Sequence, residues 1–358
     1  GKSTLVKAVF PNYSYVSLED PDSRAFAQDD PRAFLEHFGK HVIVDEVQRV
    51  TELFSYIQGV VDSSNETGQF ILSGSQNFLL MKRISQSLAG RVSILHLLPL
   101  SWTELSGTDA SSNWERIFKG GYPRLYDFDI YPTDFYPNYI KTYLERDIRN
   151  ELGVGKLNDF DRFVRLCATR IGGLLNMDEL ARDCGINVKT VKSWLSLLQQ
   201  SFIIYLLSPY HANIGKRLIR SPKLYFYDTG LACNLLGIES AEEAGYGEYR
   251  GALFENAVLA ELLKGYFNRG REPGLFFLRD SNGVEVDFLV QKGIRPSLLI
   301  EAKASSTYNT RFFANLDKMG EGLGVAEDAR FVAYGGEKSM KTQRGQALPL
   351  SDIHELAG

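Results

Sequence analysis

Two sets of residues in this 358-residue chain have types and spacings suited to phosphate chemistry. The first opens the chain: Gly1-Lys2-Ser3-Thr4, then the helix-like run Leu5-Val6-Lys7-Ala8-Val9-Phe10. This is the second half of G-x-x-x-x-G-K-[ST], a loop whose backbone N–H groups cradle phosphates. Its lysine reaches the β/γ-phosphates and the hydroxyl after it holds Mg²⁺. Downstream, His41-Val42-Ile43-Val44-Asp45-Glu46-Val47-Gln48 ends a β-branched run in two carboxylates. Asp45 stands where a second ligand on the Mg²⁺ side is needed, and Glu46 is placed to polarise an attacking water. The plainer alternative is a strand followed by an acidic helix start, with one carboxylate as N-cap. The second set is Glu255, Asp287, Glu301 and Lys303. Carboxylates on adjacent strands beside a lysine can bind one or two Mg²⁺ ions, and the lysine can orient a water for phosphodiester attack. Here the alternative is a buried ion-pair cluster in which Lys303 satisfies the acids.

The elements that must position these groups can be read from the same pattern. The apolar run before Asp45 suits a buried parallel strand, and ligand chemistry in such sheets sits at the strand's carboxyl end. A further strand, Gln69-Phe70-Ile71-Leu72-Ser73-Gly74-Ser75-Gln76-Asn77, also turns polar at its end. Ser75 is the first choice for a side chain that senses the γ-phosphate, with Gln76 or Asn77 as alternates, against ordinary capping of the next helix. Ile94-Leu95-His96-Leu97-Leu98-Pro99-Leu100 reads as a third apolar strand behind Arg91. Arg91 could stabilise transition-state charge, in cis or from a neighbouring subunit, or serve as a surface ion-pair partner. For the second set, residues 251–262 read as an amphipathic helix carrying Glu255. A hairpin around Asn282-Gly283 brings in Asp287, and the strand 297–303 puts Glu301 and Lys303 on one face.

Between the two sets, Tyr139–Ile148 has helical apolar spacing and reads as a packing helix, with Arg146 and Asp147 on a solvated face. Residues 177–191 read as helix, glycine turn at Gly185, and a second helix capped by Asn187; Ile186, Val191, Trp194 and Leu195 point inward. The apolar runs Phe202–Leu206 and Lys223–Tyr227 would form a wing. Lys189, Lys192, Lys216, Arg217 and Arg220 could track nucleic-acid phosphates, or the module could serve protein packing.

Size and composition set the outer limits. The length predicts two or three domains. Forty-four per cent hydrophobic and 12% aromatic residues place the chain among globular proteins. A net charge of −4 excludes coating nucleic acid by bulk charge, so any contact must be local. Cys167, Cys184 and Cys233 are widely spaced, which predicts reduced thiols in a cytoplasmic protein. No apolar run reaches the roughly 20 residues of a membrane span.

Gly-Lys-Ser-Thr, Val-Asp-Glu-Val-Gln, Leu-Ser-Gly-Ser-Gln and Ser-Leu-Ala-Gly-Arg…Leu-Pro-Leu-Ser together resemble the AAA-type ATPases of bacteria and archaea that carry a C-terminal DUF4143 domain. By that resemblance Lys2 and Ser3 match Walker A positions, and Asp45 and Glu46 match Walker B. Gly1, Lys2, Ser3, Thr4, Asp45 and Ser75 would bind ATP and Mg²⁺, with Ser3 and Asp45 on the metal. The sequence departs from the family pattern in lacking the first strand and first loop glycine, and it is read as N-terminally incomplete. Glu255, Asp287 and Glu301-x-Lys303 are similar in order to the PD-(D/E)xK nucleases, whose fold DUF4143 resembles; Asp287 and Glu301 would be its metal ligands.

The expected fold is α/β in three parts: a P-loop NTPase parallel-sheet core, a winged-helix middle domain and a C-terminal restriction-endonuclease-like α/β domain. The expected boundaries are 1–105 for the ATPase core, 106–160 for a helical connector, 161–238 for the winged helix and 239–358 for the nuclease-like domain. The expected function is ATP hydrolysis coupled to the later domains, with DNA contact through the winged helix and self-association as further expectations. The alternatives are a Mg²⁺-dependent nuclease regulated by the ATPase part, or a non-catalytic scaffold.

Overall fold

The structure is a computed structural model describing residues 1–64, 66–74, 87–108, 112–128, 130–144, 157–210 and 221–357. Residues 1–95 and 96–358 form two compact units.

In the first unit the described elements run α1 (Lys2–Val9), β1 (Ser14–Ser17), α2 (Pro21–Asp29), α3 (Pro31–Phe38), β2 (Val42–Asp45), α4 (Leu53–Asp62) and β3 (Phe70–Leu72). The strands form a parallel sheet in the order β1-β2-β3. All four residues of the central β2 are buried, which accounts for its unbroken β-branched run where a half-exposed strand would alternate. Pro21 and Pro31 open their helices behind Asp20 and Asp30, whose carboxylates accept backbone N–H groups at 2.8–3.1 Å. Phe34, Leu53, Phe54 and Ile57 close the core over Val42 and Val44.

One expectation fails here. Residues 94–100 form no strand, and Leu95 is 75% exposed. Among the described residues β3 pairs with β2 alone. An apolar run becomes a strand only when a neighbour completes its hydrogen-bond ladder, and among the described residues this run has none.

In the second unit the described elements begin with α5 (Asn113–Lys119), α6 (Arg124–Asp127), α7 (Pro132–Tyr139), α8 (Leu157–Ala168), α9 (Met177–Cys184) and α10 (Val188–Gln200). The hairpin pair β4 (Ile204–Leu207) and β5 (Lys223–Phe226) precedes α11 (Thr229–Leu236), α12 (Ala241–Tyr246) and α13 (Arg250–Asn268). Then come β6 (Leu275–Arg279), β7 (Glu285–Lys292), β8 (Arg295–Lys303), α14 (Ala314–Leu323), β9 (Arg330–Tyr334), β10 (Met340–Thr342) and β11 (Gly345–Pro349). The last six strands make a mixed sheet, β10-β11-β9-β8-β7-β6. β6, β7 and β8 are antiparallel neighbours, and β9 joins β8 in parallel.

The helix–turn–helix forms as read. Gly185 takes the left-handed conformation that ends α9 (φ +70°), and Asn187 accepts from Thr190 N at 2.8 Å to start α10. Val191, Trp194 and Leu195 are buried on the inner face. β4 and β5 pair antiparallel behind it. The packing helix expected over 139–148 begins as a π-type turn, Ile140–Leu144, after α7; Arg146 and Asp147 lie outside the described residues.

The helix carrying Glu255 differs from expectation. It is not amphipathic: from Leu253 to Phe267 every residue except Glu255 is buried. A helix apolar all round is a central element rather than a surface one. Its buried Glu261 and Lys264 pair at 2.8 Å; Glu261 also accepts Trp102 N at 2.9 Å, and Lys264 donates to Leu100 O at 2.9 Å. The larger hydrophobic core of this unit joins Tyr136, Phe163, Trp194, Tyr225, Phe254 and Phe288, and a smaller one packs Phe313 and Leu316 against Leu289, Leu299 and Val332 of the large sheet. Cys167, Cys184 and Cys233 are buried free thiols.

Candidate functional site

The first site gathers at the carboxyl end of β2. Asp45 is 5% exposed, and four donors converge on it. Ser3 Oγ donates to Oδ2 at 2.6 Å and Tyr15 Oη to the same oxygen at 2.8 Å. Ser73 Oγ donates to Oδ1 at 2.5 Å, joined by the Glu46 backbone N–H at 3.1 Å. Burial alone would raise the Asp45 pKa, but these donors together outweigh it and hold the carboxyl below its ordinary value. The parallel register explains the convergence. β1 delivers Tyr15 beside β2, and the residue just beyond β3 delivers Ser73.

Glu46 follows in the left-handed region (φ +54°), a conformation costly for a residue with a Cβ and found where surroundings enforce it. Gln48 Nε2 donates to Glu46 Oε2 at 2.5 Å, while Gln48 Oε1 is buried without a partner. Gly1 is the N-cap of α1, with no side-chain cap on the helix amides; Lys2 and Thr4 are exposed. Arg91 grips both oxygens of Asp62 at the end of α4 through Nε and Nη2, the ion-pair alternative weighed for it. Ser75, Gln76 and Asn77 lie outside the described residues. Sequence reasoning passed over Ser73 and Tyr15. Ser73 sat in the same polar strand end as Ser75; nothing local marked Tyr15, which meets Asp45 only through strand pairing.

The second site lies on β7 and β8 against α13 and β5. Alternation puts Glu285 and Asp287 on one face of β7, and Glu301 and Lys303 on one face of β8. Asp287 Oδ2 accepts from Ala302 N at 2.8 Å. Lys303 Nζ meets Glu301 Oε1 at 2.6 Å, and Asn315 Nδ2 reaches that oxygen at 3.5 Å. Glu301 is 3% exposed and its Oε2 has no partner. Lys223 on β5, also 3% exposed, stands 2.9 Å from Glu255 Oε1 and 2.6 Å from Glu285 Oε1. Tyr225 Oη donates to Glu255 Oε1 at 2.5 Å.

Electrostatics in this cluster reverse those of the first site. Burial, then the charges of Glu255 and Glu301, push Asp287 well above the carboxylate range; Lys223 and Lys303 offset this only in part. Glu301 is raised by burial against the pull of Lys303. Burial would lower Lys223, but the combined attraction of Glu255, Asp287 and Glu285 raises it. Lys223, Tyr225 and Glu285 were not foreseen. Glu285-x-Asp287 carried a signal in its two-residue spacing; Lys223 carried none. In the helix–turn–helix, Lys189 and Lys192 are exposed, while Lys216, Arg217 and Arg220 lie outside the described residues.

Comparisons with known proteins identify the families. A family model described as an AAA domain matches residues 1–106, and DUF4143, a domain of unknown function, matches 250–353. Between them another domain of unknown function, DUF8612, matches 111–242. An uncharacterized protein of Mycobacterium tuberculosis is 31% identical over 313 residues, covering 86% of this chain and 68% of its own length. One from Methanocaldococcus jannaschii is 21% identical over 307 residues, covering 78% of this chain and 66% of its own. No solved structure matches the chain. No helix among the described residues is long and apolar enough to cross a membrane. With its AAA domain implying nucleotide-dependent activity, the chain belongs to the family of AAA-type proteins that carry a C-terminal DUF4143 domain.

Proposed function

We propose that residues 1–105 bind and hydrolyse ATP and that nucleotide state is relayed to the rest of the chain. The observation carrying this reading is the 2.6 Å bond between Ser3 at the start of α1 and Asp45 at the end of β2. It brings a hydroxyl and a carboxylate, both hard oxygen donors, to a helix N-terminus whose amides have no side-chain cap. This donor set fits Mg²⁺: Ser3 Oγ and Asp45 Oδ2 would hold it, and the ion supplies neutralisation of phosphate charge. The α1 amides would take phosphate oxygens, with Lys2, beside them and exposed, on the β/γ-phosphates. Glu46, its carboxylate held by Gln48, would orient the attacking water and draw its proton. Tyr15 and Ser73 keep Asp45 ionised and aimed. Glu46→Gln in the full-length protein should bind ATP but lose turnover; turnover at the wild-type rate would sink the assignment.

A second reading concerns residues 239–358. The order α13, three antiparallel strands, α14, parallel β9 is similar to the PD-(D/E)xK nucleases, and Glu255, Asp287, Glu301 and Lys303 supply that pattern's side chains. A Mg²⁺- or Mn²⁺-dependent nicking activity lost in Asp287→Asn, with ATP turnover intact, would favour it. Residues 161–238 read as a winged helix, and exposed Lys189 and Lys192 support phosphate tracking. Affinity for duplex DNA that ignores ionic strength would remove that contact.

A further inference from the structure

Lys223 comes from β5, outside the strands and helix that carry the acids it meets. Four carboxylates, Glu255, Glu285, Asp287 and Glu301, draw on two lysines, Lys223 and Lys303. Arg279, 38% exposed, stands 3.5 Å from Glu285. Acidic charge held against a nearly closed interior is costly unless a cation answers it. The ammonium of Lys223 does so, touching two carboxylates at once and itself almost wholly buried. One acceptor is left over: Glu301 Oε2 is buried with no donor. Yet among the described residues no three acidic, imidazole or thiol side chains form a group that could hold a metal ion. The donor chemistry suits a hard cation, while the arrangement is closed to one.

We propose that Lys223 is a resident counter-cation standing in the place of a divalent metal, so that this cluster takes Mg²⁺ or Mn²⁺ only when the ammonium is withdrawn. The ammonium engages the oxygens of Glu255 and Glu285 that an incoming ion would need, and a second cation beside it would meet like charge at contact distance. Removing the ammonium while keeping its stem volume frees those oxygens to join Asp287 and the idle Glu301 Oε2. The inference uses the carboxylates as cation ligands and stands against the nuclease reading: with Lys223 in place the cluster holds no metal for phosphodiester attack.

The test reads Mn²⁺ binding, by loss of the free-ion electron paramagnetic resonance signal, in full-length protein carrying Asp45→Asn so that the nucleotide site contributes nothing. The protein with Lys223 intact should hold no Mn²⁺ at this cluster. Lys223→Met should gain one ion, bound tighter by about tenfold or more, and adding Asp287→Asn should abolish the gain. Lys223→Arg, which keeps the charge, should gain nothing. If Lys223→Met proves unfolded by near-ultraviolet circular dichroism, Lys223→Gln, which removes the charge, keeps a hydrogen-bond donor and leaves all four carboxylates in place, is read in the same way. The proposal is overturned if the Lys223 protein already binds Mn²⁺ through Asp287, if neither folded neutral variant of Lys223 gains an ion, or if Lys223→Arg gains one equally.

Discussion

Asp45 and Asp287 are both strand carboxylates in α/β sheets, and their surroundings set them to opposite chemistry. Asp45 is met by three hydroxyls and an amide, neutral donors that hold it ionised. Asp287 is met by other carboxylates, with lysines close enough to answer only part of their charge. Neutral hydroxyls can rotate away and give an oxygen up to an incoming ion at small cost. An ammonium locked between two carboxylates cannot leave without stranding both. The first arrangement is ready for a cation, and the second already contains one.

The largest effect that could break this contrast is at Glu46. Its substitution by Gln should slow ATP turnover by about 10²- to 10⁴-fold in a steady-state assay, whereas Asp287→Asn should leave turnover unchanged. Next comes Lys223→Met, which strands buried acids and should destabilise the second unit by about 3–5 kcal/mol in urea unfolding under chelation. Tyr15→Phe removes one of four donors from Asp45 and should cost the first unit about 1–2 kcal/mol by the same measurement. A cost equal to that of Lys223→Met would erase the distinction between hydroxyl and ammonium.

The smallest effect is in pH dependence. Asp45, with its folded pKa lowered, adds stability that is present above the unfolded carboxyl value of about 3.9 and lost as pH falls through its folded value. Asp287 and Glu301, with folded values raised, add stability that is full below about 4 and lost as pH rises through their folded values. In metal-free buffer Asp287→Asn should therefore flatten the decline in stability with rising pH, and Asp45→Asn should flatten the loss on acidification. An unchanged slope in the first variant would place Asp287 outside the cluster's electrostatics.

Much of this was legible where one stretch of chain decides its own structure. Val42-Ile43-Val44 declared a buried strand, Gly185 and Asn187 declared a turn and a cap, and Asn282-Gly283 declared a hairpin. The reading failed where a partner decides. Residues 94–100 have strand composition but, among the described residues, no ladder to join. The helix around Glu255 was expected to be amphipathic, but it is buried on all sides and its Glu261 and Lys264 satisfy one another inside. Asp45 and Asp287 could be nominated from local pattern, but Tyr15 and Lys223 are joined to them only by strand pairing and packing.

The larger core of residues 96–358 bears on how this part of the molecule comes apart. Trp194 of the helix–turn–helix, Phe254 of α13 and Phe288 of the large sheet belong to one packed body. Sequence boundaries at 160/161 and 238/239 divide that body on paper, but neither side could bury its apolar face without the other. Calorimetry should therefore record a single cooperative melting event for this unit. A nick introduced near residue 239 should leave two fragments that stay associated until both unfold together.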